Sequence, residues 1–403
     1  MKEKIMMNDT PRSDRLHIAL FGRRNTGKSS LINAITGQEA AVVSNVAGTT
    51  TDPVYKSMEV LPIGPVVFID TPGIDDAGEL GRLRTEKTRE VLRKTDVALL
   101  VIGADMLWGK YEVELAEEFR KRSIPFIIVA NQVDKSAKQS EIELENSTVT
   151  TIVKTSALTG EGIDKLIEEL VKVKKEDDQR LHLIDDIIKE GDLAILVTPI
   201  DKGAPKGRLI LPQQQVLRDI LDNNAMAFVV QDNRLEEAIN RLSSPPALVI
   251  TDSQIFGKVG NVVPEGIPLT SFSIIYARQK GDLKKFYEAV KEIENLEDGD
   301  LILIAEGCTH HRKDDDIGTV KIPSLLMKKT GKHLKFNHVS GGFFEEDLSK
   351  YKMVIHCGAC MLNKKEMEYR QEHSQSSGVP MINYGIILAY LNGILERALE
   401  PFK

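Results

Sequence analysis

Short apolar runs, each closed by a turn and followed by a segment of helical spacing, recur along the chain. Leu16 to Phe21 is the first strand, followed by a helical pattern from Ser30 through Ile35. Val66 to Ile69, Ile127 to Ala130 and Ile152 to Lys154 read as further strands. A dense charge run, Lys172 to Arg180, interrupts the pattern, which then resets. Beyond it Leu193 to Val197, Gln213 to Leu221, Met226 to Val230, Arg234 to Leu242 and Ala247 to Ile250 alternate between strand and helix, with Leu269 to Tyr276 as a last apolar run. Leu283, Phe286, Ala289, Val290 and Ile293 share one helical face, and Leu301 to Ala305 is a buried strand. A helix begins near Ile322 and runs through Lys329, a strand follows around Leu334 to Val339, and Tyr351 to Ile355 form the next strand. Such alternation predicts α/β architecture, with parallel sheets covered by helices. The expected modules are 16–175, 176–280 and 281–403, after a polar stretch over 1–15 expected to be disordered.

Composition narrows the class. With 403 residues the chain exceeds one ordinary core, and 41% apolar residues suffice for two or three. The net charge of −7 demands neither nucleic acid nor an anionic membrane as partner. Met1 to Arg15 lacks an apolar leader core, and no apolar run approaches the ~18 residues of a membrane span. A cytoplasmic protein is expected, with its three cysteines kept reduced.

The first strand runs into Gly22-x-x-Asn25-Thr26-Gly27-Lys28-Ser29 and then Ser30, the phosphate-loop pattern in its strand-turn-helix setting. Backbone N–H groups there wrap phosphates, Lys28 reaches the β- and γ-phosphates, and the Ser29 hydroxyl holds Mg²⁺. Asp70-Thr-Pro-Gly73 closes the strand over Val66 to Ile69, placing a carboxylate near Mg²⁺ and a glycine N–H at the γ-phosphate. Between them Gly48 to Asp52 offers hydroxyls, of which Thr50 is the expected Mg²⁺ ligand. Asn131 to Asp134 and Thr155-Ser156-Ala157 follow later strands, and a carboxylate at Asp134 accepts two hydrogen bonds from a guanine edge that adenine cannot supply. Lys28, Thr50 and Gly73 are the catalytic candidates.

In this order the elements over 16–175 resemble the small GTPases, in particular the group of Era-like and tRNA-modification GTPases. The resemblance implies GTP and GDP as ligands with Mg²⁺. Gln132 stands where that group carries lysine, which implies weaker nucleotide binding but not ATP use. Ile74 replaces the glutamine that orients water in Ras-like proteins, so slow intrinsic turnover is expected. Asn25 matches the asparagine of potassium-activated members, which implies a K⁺ near the phosphates.

The cysteines carry the second chemistry. Cys308 opens Cys-Thr-His310 just past one strand, and His356-Cys357-Gly-Ala-Cys360 follows another. If those strands are parallel, both segments leave carboxyl ends into one crevice, where open α/β sheets bind ligands. Three thiolates beside His310, His356 and Glu306 suit a metal centre whose fourth position is weakly held. Gly341-Gly342 and Asn383-Tyr384-Gly385 are candidate linings, whereas His311, His333, His338 and His373 read as surface or packing residues. The middle module shows no chemistry: its loop over 203–207 lacks phosphate-binding spacing, and Asp201, Asp252 and Ser253 read as ordinary loop polarity.

Cys-x-His, a long gap and His-Cys-x-x-Cys behind a GTPase module closely resemble the FeFe-hydrogenase maturation GTPases, over the whole chain. The resemblance implies a 4Fe-4S cluster on Cys308, Cys357 and Cys360, carrying a transient two-iron precursor for apo FeFe-hydrogenase. It implies two radical-SAM maturases as further partners and a homodimer through the middle module. Two other readings stay open: a ribosome- or tRNA-associated GTPase with structural zinc, and a redox enzyme using Cys357 and Cys360 as a dithiol.

Overall fold

The computed structural model describes residues 11–37, 52–73, 87–104, 106, 108–135, 151–177, 183–199, 209–308 and 316–403. The chain divides into two compact units, 1–180 and 181–403.

The first unit contains β1 (Leu16–Phe21), α1 (Lys28–Thr36), β2 (Val54–Val60), β3 (Gly64–Asp70), α2 (87–93), β4 (Val97–Gly103), α3 (Lys110–Lys121), β5 (Phe126–Asn131), β6 (Ile152–Lys154) and α4 (Ile163–Asp177). Its sheet runs β2-β3-β1-β4-β5-β6, parallel except for β2 against β3. β1, β4 and β5 are buried on both faces, hence their mostly apolar sequences, with His17 in β1 and the terminal Asn131 of β5 as the polar residues. The register pairs Leu20 with Asp70 and Gly103 with Asn131, so the loops after β1, β3 and β5 open on one edge. The chain passes to opposite sides of β1, and such a switch point is where these sheets take ligands.

The second unit holds two four-stranded parallel sheets. One is built from β7 (Leu193–Val197), α5 (Leu211–Asp222), β8 (Met226–Val230), α6 (Leu235–Asn240), β9 (Leu248–Thr251), α7 (Phe256–Val262), β10 (Leu269–Ser271) and α8 (Phe272–Lys280), in strand order β10-β9-β7-β8. The other comprises α9 (Leu283–Ala289), β11 (Leu301–Glu306), α10 (Ile322–Thr330), β12 (Lys335–Ser340), β13 (Met353–His356), α11 (Lys364–Ser376), β14 (Met381–Asn383), α12 (Tyr384–Leu391) and α13 (Leu395–Leu399), in order β12-β11-β13-β14. The run Leu269 to Tyr276 is split by Ser271, whose hydroxyl accepts from the Ile274 N–H and starts α8. The two sheets are not independently cored: Ile195 and Val249 of the first share a buried cluster with Ile302 and Val354 of the second. Among the described residues no helix is long and apolar enough to cross a membrane.

Candidate functional site

At the edge of the first unit, Gly27 turns the phosphate loop into α1 at φ +83, and a Cβ there would sit 2.5 Å from Asn131 Nδ2. Lys28 is buried, and its Nζ donates to the carbonyls of Gly22 at 3.0 Å and Arg23 at 2.7 Å. The Ser29 hydroxyl donates to Asp70 Oδ2. Burial pushes the Asp70 carboxyl up, opposed by the Ser29 bond and by the charges of Lys28 and Lys56. Gly73 approaches the phosphate loop so closely that a Cβ would lie 2.7 Å from the Arg24 backbone nitrogen.

On the base side, Asn131 is fully buried and acts as a brace. Its Nδ2 donates to Thr26 O at 2.9 Å, while Oδ1 accepts from the Ala157 N–H at 3.1 Å and the Thr155 hydroxyl at 3.2 Å. Ser156 Oγ donates to Asp134 Oδ1 at 2.5 Å and fixes that carboxylate. Gln132, at φ +67, donates from Nε2 to the Asn25 carbonyl at 3.0 Å, and Asn25 is itself left-handed at φ +61. One anchor was not read from the sequence: Arg23 makes a two-pronged pair with the buried Glu112 of α3, both bonds 2.8 Å. The partners are 89 residues apart, beyond any local signal. Ser30 lies in the first turn of α1. Thr50, Ile74, His310, His311, Asp201 and the loop over 203–207 lie outside the described residues.

In the second unit β11 pairs in parallel with β13, Ala305 opposite His356. Glu306 to Cys308 and Cys357 therefore leave adjacent strands side by side, and the Cys357 N–H donates to Ala305 O at 2.9 Å. Cys357 Sγ accepts from the N–H groups of Gly307 at 3.1 Å and Ala359 at 3.4 Å, the latter turned inward by a left-handed Ala359 at φ +54. Burial pushes the Cys308 thiol up to about 12, with added repulsion from Cys357, Cys360, Glu306 and Asp316. Burial likewise raises Cys357 to about 11 against the pull of its two N–H donors. Among the described residues, nonetheless, no three His, Cys, Asp or Glu side chains are drawn together as a preformed metal cage. Raised thiols suit ligands that ionise when a cation arrives, whereas a reactive dithiol needs a lowered pKa.

The two described candidates for the fourth position differ. Glu306 is buried beside the thiols; its Oε1 accepts from the Tyr384 hydroxyl at 3.2 Å and raises both Cys308 and Cys357. His356 is fully buried with both ring nitrogens engaged, Nδ1 with Cys357 O at 2.9 Å and Nε2 with Arg370 Nη1 at 3.1 Å. Arginine only donates, so Nε2 is the acceptor and Nδ1 carries the proton. Burial and then Arg370 drive the His356 pKa down to about 3. A metal on Nε2 would displace the guanidinium. His356 therefore braces the Cys357 carbonyl, which also accepts from Asn383 Nδ2 at 3.3 Å. Gly341 enters the same network through its carbonyl, 3.1 Å from Arg370 Nη2.

Three family models match the chain: a 50S ribosome-binding GTPase over residues 17–132, a hydrogen maturase F dimerization domain over 183–281, and a hydrogen maturase F tetramerization domain over 284–401. The tRNA modification GTPase MnmE of Aquifex aeolicus is 35% identical over 156 residues, 38% of this chain and 34% of that protein. GTPase Der of Wolinella succinogenes is 35% identical over 179 residues, 41% of this chain and 37% of its own. The chain thus spans about a third of the length of these curated relatives. A crystal structure of Aquifex aeolicus Era bound to GDP and aluminium fluoride aligns at 24% identity and a TM-score of 0.36, covering 56% of this chain and 98% of that one.

Proposed function

This chain belongs to the hydrogen maturase F family, whose two models together match more than half its length, and we propose that it is a GTP-binding scaffold and carrier in FeFe-hydrogenase maturation. The observation that carries the proposal is the delivery of Cys308 and Cys357 from adjacent parallel strands, with Cys360 interacting electrostatically with both and two backbone N–H groups aimed at Cys357 Sγ. That donor set fits a 4Fe-4S cluster: three thiolates and N–H donors to sulfur. Cys308, Cys357 and Cys360 would hold it, with the Glu306 carboxylate as the exchangeable fourth ligand and His310 as its rival. When bound, the cluster supplies a sulfur-rich redox platform for the two-iron cargo. Apo FeFe-hydrogenase is the recipient and two radical-SAM maturases are the other partners, all in the cytoplasm.

The amino-terminal unit is a P-loop GTPase domain. Gly22 to Ser30 would hold the phosphates, Ser29 and Thr50 the Mg²⁺ with Asp70 behind it, and Gly73 the γ-phosphate. Hydrolysis would act as a switch on partner affinity, with the Thr50 and Gly73 segments as the parts expected to differ in their contacts between GTP and GDP. With Asn25 supporting K⁺, turnover is expected to be several-fold faster in K⁺ than in Na⁺ at equal ionic strength; equal rates would remove that role.

The homodimer is assigned to β8, which among the described residues is one of the two edge strands of its sheet. Met226, Phe228 and Val229 are 55%, 39% and 41% exposed there. Met226 donates to Asp192 O and Val230 accepts from Thr198 N, so in the alternating ladder Ala227 and Val229 turn their backbone groups outward. An apolar open edge of this kind invites a strand from a second copy. Val229→Pro removes an outward donor without touching the internal ladder. It is expected to convert dimer to folded monomer in light scattering; an unchanged mass would exclude the β8 edge.

The deciding experiment is anaerobic reconstitution with iron and sulfide, followed by metal analysis and EPR of the reduced protein. A cubane signal supports the scaffold. One tight zinc without a cluster would instead favour the ribosome- or tRNA-associated GTPase reading.

A further inference from the structure

Helix α8 closes the segment matched by the dimerization model, yet it lies against the cysteine loop. Near its start, a Cβ on Gly358 would meet Ser273 at 3.7 Å, and a Cβ on Gly385 would meet the Ile274 nitrogen at 2.9 Å. At its end Lys280, only 3% exposed, reaches the loop that follows Cys357. Its Nζ donates to the carbonyl oxygens of Leu362 at 2.7 Å, Ala359 at 3.1 Å and Cys360 at 3.4 Å. The Tyr276 ring lies 5.2 Å from Nζ. Three carbonyl acceptors match the three N–H donors of an ammonium, and a buried cation needs such compensation. The loop is thereby polarised, its C=O groups toward Lys280 and its Ala359 N–H toward Cys357 Sγ, which also accepts from Gly307 after β11.

From this geometry we infer that Lys280 is a positioning residue for the cysteine loop: it fixes the backbone from Cys357 to Leu362 before iron arrives and holds an ammonium group against the Cys360 carbonyl, next to the ligand thiols. The second half rests on the cluster reading proposed above. A thiolate-ligated cluster gains negative charge on reduction, and a nearby buried cation favours that state. The same side chain ties the dimer-forming sheet to the cysteine loop, because α8 follows β10 directly.

Two measurements test this. The first uses cluster-free protein and amide hydrogen exchange. The Leu362 N–H, which donates to Ala359 O at 3.0 Å, should be protected at least ~100-fold in the wild type and lose most of that protection in Lys280→Met, while β11 amides stay protected. Unprotected exchange at Leu362 in the wild type overturns the inference; should Lys280→Met not fold, this wild-type measurement decides alone. The second uses reconstituted protein and an EPR-monitored redox titration. Lys280→Met should lower the midpoint potential and Lys280→Arg should stay near wild type; equal potentials in wild type and Lys280→Met overturn the electrostatic half. If the wild type takes up no cluster, it is the cluster reading that fails, and the exchange measurement still decides whether Lys280 holds the loop.

Discussion

Cys357→Ser is expected to abolish cluster assembly and leave GTP hydrolysis unchanged. Cys357 is the sulfur most committed by its surroundings: its backbone N–H extends the β11 ladder, its carbonyl is braced by His356 and Asn383, and its Sγ accepts two N–H groups. A serine oxygen in the same place is a harder and far less acidic ligand and replaces a thiolate on iron poorly. Loss of an outer-shell partner alone typically lowers metal affinity ~10–100-fold, so loss of the ligand should reduce iron after reconstitution and desalting by at least ~10-fold. The GTPase motifs belong to the other compact unit, so unchanged turnover in K⁺ shows that the nucleotide unit is intact and confines the defect to the unit that carries the cysteines. Wild-type iron and an undiminished EPR signal in Cys357→Ser would sink the three-thiolate site. Cys308→Ser should fail in the same way, which separates the cluster from a dithiol reading that needs only Cys357 and Cys360.

Much of this was legible because the chemistry sits at the ends of buried strands. The apolar runs ending at Phe21, Asp70, Asn131, Glu306 and His356 each announce a strand, and the polar residues just beyond them are the candidate site residues. The run Val97 to Gly103 is just as apolar and forms β4, but no recognisable chemistry follows it, so nothing in the sequence drew it into the site. Sheet order is not encoded locally: that β11 neighbours β13 and not merely β12 depends on the packing of helices from several segments. The same limit hid Lys280 and Arg370. Both are charged residues at helical spacing, which reads as a solvated face until the fold buries them, Lys280 under carbonyls and Arg370 between Glu366 and His356. His356 illustrates the converse. Its position next to Cys357 suggests a ligand, and only the guanidinium at 3.1 Å reveals that its second nitrogen is already used.

Asp134→Asn should lower GTP affinity by ~10³-fold, about 4 kcal/mol, because guanine recognition depends on two donors meeting one carboxylate. Guanine offers N1–H and the 2-amino group toward Asp134, and each carboxylate oxygen has room for more than one donor. Ser156 Oγ already donates to Oδ1 at 2.5 Å, so the side chain is held in one orientation before the base arrives. In Asp134→Asn the amide oxygen keeps the Ser156 bond, and the amide NH₂ is turned toward the base, donor against donor. Leaving buried polar groups unpaired costs far more than losing an average hydrogen bond. The same reversal makes a testable gain: xanthosine triphosphate carries a carbonyl where guanine has its amino group, and the amide can donate to it. Binding should therefore shift from GTP toward xanthosine triphosphate, with ATP remaining weak for both proteins. Isothermal titration with non-hydrolysable forms of the three nucleotides separates the outcomes. Undiminished GTP affinity in Asp134→Asn would show that the base is held elsewhere, and loss of all three nucleotides would point to collapse of the loop that Asn131 and Ser156 brace.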